Sequence, residues 1–293
     1  YAYFLGWTLL SWIPLEYRVL GFNFYSTFWQ FLLVYQFYLF VRKLGMERGW
    51  AFLQVVGLLF LFGTNTFSFR YYALSSTPMA YICYLRILVI TLSYIDDKER
   101  PHWISVLILL AMIGINHRQE LVFALTVPLL LAGLSCYEKY SPNKKSRWWH
   151  GLAFLLILPI IVRYLAYRIY PDWFALPGSH YSARFGLFKV WMSHSPFLET
   201  LGVHGCISVI CALICWRKMR RISLLTLAPI FSLIFPPAAS LIAKGISDSY
   251  DSYRILYAMP TSLMLVAVLR ELFTNVPVSR KTALVGSFCV IIG

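Results

Sequence analysis

The stretch GISDSYDSYRILYAMP, residues 245–260, sets Asp248, Asp251 and Arg254 directly before an apolar run long enough to enter a membrane. Arginine's planar fork matches phosphate and carboxylate oxygens in a bidentate way and keeps its charge at any working pH. The two aspartates suit hydroxyl donors, and one of them also suits an ion pair with Arg254; the spacing is compatible with both. Similar mixtures recur along the chain at Arg70 in FRYYALSST, at His117, Arg118 and Glu120 in NHRQE, and at His180, Tyr181 and Arg184 in YPDWFALPGSHYSARFG. One arginine at an apolar edge is explained by snorkelling to lipid headgroups. Four such edges, each with acids or aromatics beside the arginine, point instead to a shared polar cavity for an anionic, hydroxyl-rich ligand.

Catalytic alternatives find less support. His117 and His180 have the protonation range of general bases, but no G-x-S-x-G nucleophile motif accompanies them, so both read as binding or structural groups. The pair Asp96-Asp97 reads as a solvated cap beside Lys98 and Arg100, and no metal site is assigned. Cys83, Cys136, Cys206, Cys211, Cys215 and Cys289 fall almost wholly inside apolar runs without a CxxC pair or zinc-like spacing. They read as small packing residues.

These groups must be positioned by a very apolar chain. Of its 293 residues 59% are hydrophobic, 18% aromatic and 13% charged, against roughly 25% charged in soluble domains, and the mean hydropathy is +0.66. The expected fold is therefore all-α, a polytopic transmembrane helix bundle. Spans of about 20 apolar residues are predicted near 22–41, 50–66, 77–95, 103–117, 119–136, 150–169, 200–216, 222–242 and 255–272, with a partial one from 282. Residues 1–16 read as an interfacial amphipathic helix, and residues 1–293 as a single transmembrane domain. The chain begins at Tyr1 and stops within an apolar run, so both ends read as truncations.

The formal charge of +14 would suit nucleic acid if the basic residues shared a solvated face with interleaved aromatics. They lie instead in short turns, and alternate connections hold most of them: Arg42, Lys43 and Arg48; Lys98 and Arg100; Lys139, Lys144, Lys145 and Arg147; Arg217, Lys218, Arg220 and Arg221; Arg270, Arg280 and Lys281. These turns are expected to be cytoplasmic. The polar, aromatic-rich connections then lie on the outer side, no nucleic acid is expected as a partner, and short loops lean toward a bacterial plasma membrane.

In these residues the chain resembles the multispanning GT-C glycosyltransferases that use polyprenyl-phosphate-linked sugars, in particular the arabinofuranosyltransferase-like and mannosyltransferase-like members. The segment from FWQFLLVYQF to FRYYAL is similar to the family's second and third spans. GINHRQELVF is similar to its R-x-E-G segment, with Leu121 in place of glycine. YPDWFALPGSHYSARFG is similar to its lPntyyaK loop, with Pro177 at the proline and Arg184 where lysine is common. The 245–260 stretch is similar to its G-G-D-x5-R pattern at Asp248 and Arg254, with one glycine replaced and the proline delayed to Pro260.

The resemblance implies transfer of a sugar from a polyprenyl-phosphate donor to a glycan, lipid or protein acceptor at the outer face. Arg254, Arg70, Arg118 and Arg184 would meet the donor phosphate. Asp248, Asp251 and Glu120 would orient sugar hydroxyls, with His180 and Tyr181 on the acceptor side. The family's acidic general base is expected upstream of Tyr1, so no residue here inherits that role, and the resemblance leaves room for a divalent cation as the sole cofactor. Two other readings stay open: a transporter or flippase for a lipid-linked or anionic solute, and a polymerase or ligase of surface polysaccharide.

Overall fold

A computed structural model of the chain describes residue 8, residues 11–61, 77–116, 118–140 and 195–234, residue 260 and residues 262–275. The elements are α1 (Leu15–Lys43), α2 (Arg48–Val56) with a π-helical continuation (Gly57–Leu61), α3 (Thr77–Asp96), α4 (Trp103–Asn116), α5 (Arg118–Tyr140), α6 (Ser195–Ile214), α7 (Arg220–Ile234) and α8 (Ser262–Asn275). Every element among the described residues is helical, in agreement with the all-α class.

The span pattern is corrected by the structure. Among the described residues one stretch, Pro78–Asp96 in α3, is both long and apolar enough to cross a membrane; Arg48–Leu59, Trp103–Ile115, Phe123–Ser135 and Val203–Ile214 are apolar but shorter. Nine full spans are therefore not what these helices supply. Tyrosine, tryptophan and amide side chains dilute α1, and the helix predicted over 50–66 gives nine residues of α-helix before passing into π geometry at Gly57.

The start of α1 also differs from expectation. The interfacial helix was expected to end at residue 16 and the next span to start near 22, but the helix begins at Leu15 and runs 29 residues without interruption. Pro14 precedes it, with φ of −50° and ψ of 144° and its carbonyl accepting the Tyr17 N–H at 2.9 Å. Proline fixes φ and has no N–H to lose at a helix start, so the boundary belongs there. Gly21 within the helix costs only about 1 kcal/mol and does not stop it.

The far end of α1 stops for an equally local reason. Gly45 adopts φ of +89°, where an L side chain is strained. Its N–H donates to the Arg42 carbonyl at 3.0 Å, and the Met46 N–H donates to the Val41 carbonyl at 3.4 Å. This is the paired closure of a Schellman motif. Arg42 and Lys43 in the last turn complement the helix dipole, and Arg42 Nη1 donates to the Met46 carbonyl at 3.0 Å. The chain reverses tightly into α2.

Packing follows two centres. Helix α3 packs against α1, α4 and α5, while α8 packs against α2, α6 and α7; α1 with α2 and α5 with α7 join the two groups. Around α3 the core is aromatic: the Tyr81 and Tyr84 rings lie 5.5 Å apart edge to face, and Tyr84 meets Phe123 of α5 at 6.1 Å. All three are buried. Around α8 the seam contains a polar stitch, since fully buried Gln54 of α2 donates from Nε2 to the Leu263 carbonyl at 2.8 Å. A buried amide without such an acceptor would cost on the order of 1–3 kcal/mol.

Candidate functional site

Helix direction decides which residues share an end of the bundle. The last turn of α1 meets the end of α3 through the Lys43–Asp97 ion pair. The start of α7 meets the same place, with Arg221 donating from Nη1 and Nη2 to the two oxygens of Asp96 at 2.8 and 2.7 Å. Near the end of α8, Arg270 donates from Nη2 to Glu47, the residue capping the start of α2, at 2.7 Å. Glu271 takes Lys218 from the turn between α6 and α7. Four turns that the charge pattern grouped on one side are thus tied directly to one another.

Asp96 and Asp97 are solvated as expected, with side chains 31% and 47% exposed, and each also binds a cation from a neighbouring helix. Asp96 and Arg221 retain about a third of their side-chain exposure, so their value is that of a well-oriented surface bridge, about 1 kcal/mol at most. At the tip of the same connection Lys98 takes φ of 57°, a left-handed conformation uncommon for a side-chain-bearing residue. Glu47 has its carboxyl pKa held below the ordinary glutamate value, chiefly by the hydrogen bond from Arg270.

The opposite end is defined by the other helix termini. Helix α3 begins there at Thr77, α5 at Arg118 and α8 at Ser262, while the Gly57–Leu61 segment and α7 finish there. Helix α5 starts after Asn116 ends α4, and its Phe123 packs beside Tyr84, which lies twelve residues, ~18 Å, from Asp96 along α3. Of the residues expected to bind the donor or acceptor, Arg118 and Glu120 occupy the first turn of α5. Arg70, Arg184, Asp248, Asp251, Arg254, His180 and Tyr181 lie outside the described residues. The described segments that border 62–76 and 235–259 end at this second end of the bundle, where Arg118 and Glu120 also begin.

A group that the sequence reading passed over gathers at the ion-paired end. Arg217, Lys218, Arg220, Arg221 and Arg270 line one cleft of about 390 Å³ with Leu44, Met46 and Ala267. In the sequence they are divided between two plain basic turns. The signal available was the density of four cations in WRKMRR; their convergence with Arg270, about fifty positions later, depends on α8 packing against α7. Arg86, which falls within the span predicted over 77–95, is exposed midway along α3.

Comparison with protein-family models, with curated proteins and with solved structures finds no match.

Proposed function

We propose that the chain is a polytopic membrane glycosyltransferase of GT-C type that moves a sugar from a polyprenyl-phosphate donor to a cell-envelope acceptor at the outer face of a bacterial plasma membrane. The observation that carries the membrane reading is a continuous exposed stripe on α1, formed by Leu20, Phe24, Phe28, Phe31 and Tyr35 at helical spacing. Leu20 and Phe24 are 70% and 75% exposed. In water such a stripe would be an aggregation surface, whereas lipid chains cover it without cost. Ile104, Leu107 and Ile115 continue the theme on α4.

The transferase reading rests on the order of its motifs and on their sidedness. Arg118 and Glu120 begin α5 at the end of the bundle remote from the ion pairs, and the described borders of the segments holding Arg70, Asp248 and Arg254 support the same side. There the arginines would meet the donor phosphate and stabilise the charge that develops on it as the sugar departs. Asp248, Asp251 and Glu120 would hold sugar hydroxyls or the arginines themselves, and His180 and Tyr181 would line the acceptor side. No residue among these 293 is assigned as the general base.

The test is transfer of a radiolabelled sugar from polyprenyl phosphate in membranes carrying the protein. Arg254→Ala is expected to lower turnover by ~100-fold or more while the amount inserted stays constant. Unchanged turnover would remove Arg254 from the mechanism. A transporter is the second reading, favoured by Pro128 inside α5, Pro229 inside α7 and the π-helical segment after α2, since interrupted helices line solute paths in carriers. Solute accumulation in vesicles without any transfer product would select it.

A further inference from the structure

We propose that the cleft at the ion-paired end is a binding site for a phosphate-bearing anion. It does not rest on the transferase reading, because none of its residues belongs to the expected donor or acceptor site. The lining brings five cations, Arg217, Lys218, Arg220, Arg221 and Arg270, against one carboxylate, Glu271. The outer partners Asp96 and Glu47 reach Arg221 and Arg270 from beyond that lining.

The ion pairs explain how three of these cations are held in place. Asp96 grips both terminal nitrogens of Arg221, Glu47 holds Arg270 through Nε at 3.4 Å and Nη2 at 2.7 Å, and Glu271 holds Lys218. Asp96 and Glu47, outside the lining, act as braces that reduce the rotamer freedom an anion would otherwise have to freeze, whereas Glu271 within the lining competes with an anion for Lys218. Arg220 and Arg221 also open α7, a helix of 15 residues, so the positive end of its dipole adds to the field of the side chains. Leu44, Met46 and Ala267 contribute apolar wall, which focuses that field on the cleft.

Cations so close together repel one another, and a multiply charged anion relieves that repulsion more than a single carboxylate does. Guanidinium forks match phosphate oxygens in pairs. The volume of about 390 Å³ lies at the small end of the range for ligand pockets and suits a phosphate, a diphosphate or the phosphodiester of a lipid headgroup. The shared chemistry is the phosphate group, and its source is either an anionic lipid or a free diphosphate.

The experiment uses the full chain purified in a neutral detergent, with thermal unfolding followed during titration by inorganic pyrophosphate or by mixed micelles of phosphatidylglycerol, and phosphatidylcholine micelles as control. The expected result is a rise in Tm with at least one anionic probe and none with phosphatidylcholine. A response to pyrophosphate identifies free diphosphate as sufficient; a response to phosphatidylglycerol alone identifies the headgroup. In Arg217→Gln with Arg220→Gln the midpoint of the titration should move at least tenfold toward weaker binding.

Because that double variant can fail to fold, Glu271→Gln supplies the converse. Removing the one lining carboxylate should tighten binding by about three- to tenfold, a gain that misfolding does not produce. Absence of any shift in the wild-type chain overturns the site, as does a gain variant that binds no more tightly.

Discussion

The two ends of the bundle are held by different forces. At one end Lys43, Asp96, Asp97, Glu47, Arg221, Lys218, Arg270 and Glu271 form ion pairs between turns. Toward the other, Tyr81, Tyr84 and Phe123 pack in a buried aromatic cluster. Partly exposed ion pairs contribute little stability each, whereas losing a buried aromatic ring forfeits dozens of close contacts. The ion-paired end fixes which turns come together, and the aromatic end supplies more of the energy that keeps the helices packed.

Tyr84 is the sharpest place to break this division. Tyr84→Ala should destabilise the fold by about 2–3 kcal/mol, somewhat less than the 3–5 kcal/mol seen for large aromatic truncations in water-soluble cores, because lipid solvates the released apolar surface while the cavity remains. The Tyr84 hydroxyl has no hydrogen-bond partner among the described residues, so Tyr84→Phe should cost little. Thermal or denaturant unfolding in detergent checks both. Equal losses in the two variants would show that the hydroxyl, and not the ring, holds the cluster.

At the other end the expected effect is smaller. Asp96→Asn keeps the shape of the side chain but removes the charge that receives both nitrogens of Arg221 at 2.7 and 2.8 Å. A loss of about 1 kcal/mol or less is expected, shrinking as salt is raised. A loss as large as that of Tyr84→Ala would reverse the comparison and make the ion-paired end the main source of stability.

The same contrast explains what was legible in the sequence. Composition sufficed for the helical class because the apolar runs are long and contain no alternating pattern. The stop of α1 was visible in RKLGM as a basic last turn followed by glycine. The grouping of basic turns on one side was legible from alternation along the chain, but their partners were not. Asp96 meets Arg221 across 125 positions and Glu47 meets Arg270 across 223, and no local pattern encodes such a meeting. The span count overreached because a hydropathy window does not register the π-helical turn at Gly57 or the start of α1 at Pro14. Of the candidate site, Arg118 and Glu120 fall within the described helices as the first turn of α5. The cleft around Arg217 was invisible for the same reason as the ion pairs, since it needs α7 and α8 side by side.

The smallest effect expected is the dependence of the ion-paired end on acid. Arg270 donates to Glu47 and holds its carboxyl pKa below the ordinary value of 4.5. A carboxylate whose pKa falls on folding binds protons more readily in the unfolded chain, so its contribution is fully present above about pH 4.5 and is lost as pH falls through the lower, folded value. The carboxylate is open to solvent, with its side chain 60% exposed, so the slope from this one group should be shallow. Glu47→Gln should flatten that part of the stability profile below pH 4.5 and leave the neutral range nearly unchanged, as read from unfolding midpoints across an acid series. A steeper acid loss that survives Glu47→Gln would assign the titration to groups other than Glu47, and the bridge to Arg270 would then serve to brace the arginine in the cleft instead of stabilising the fold.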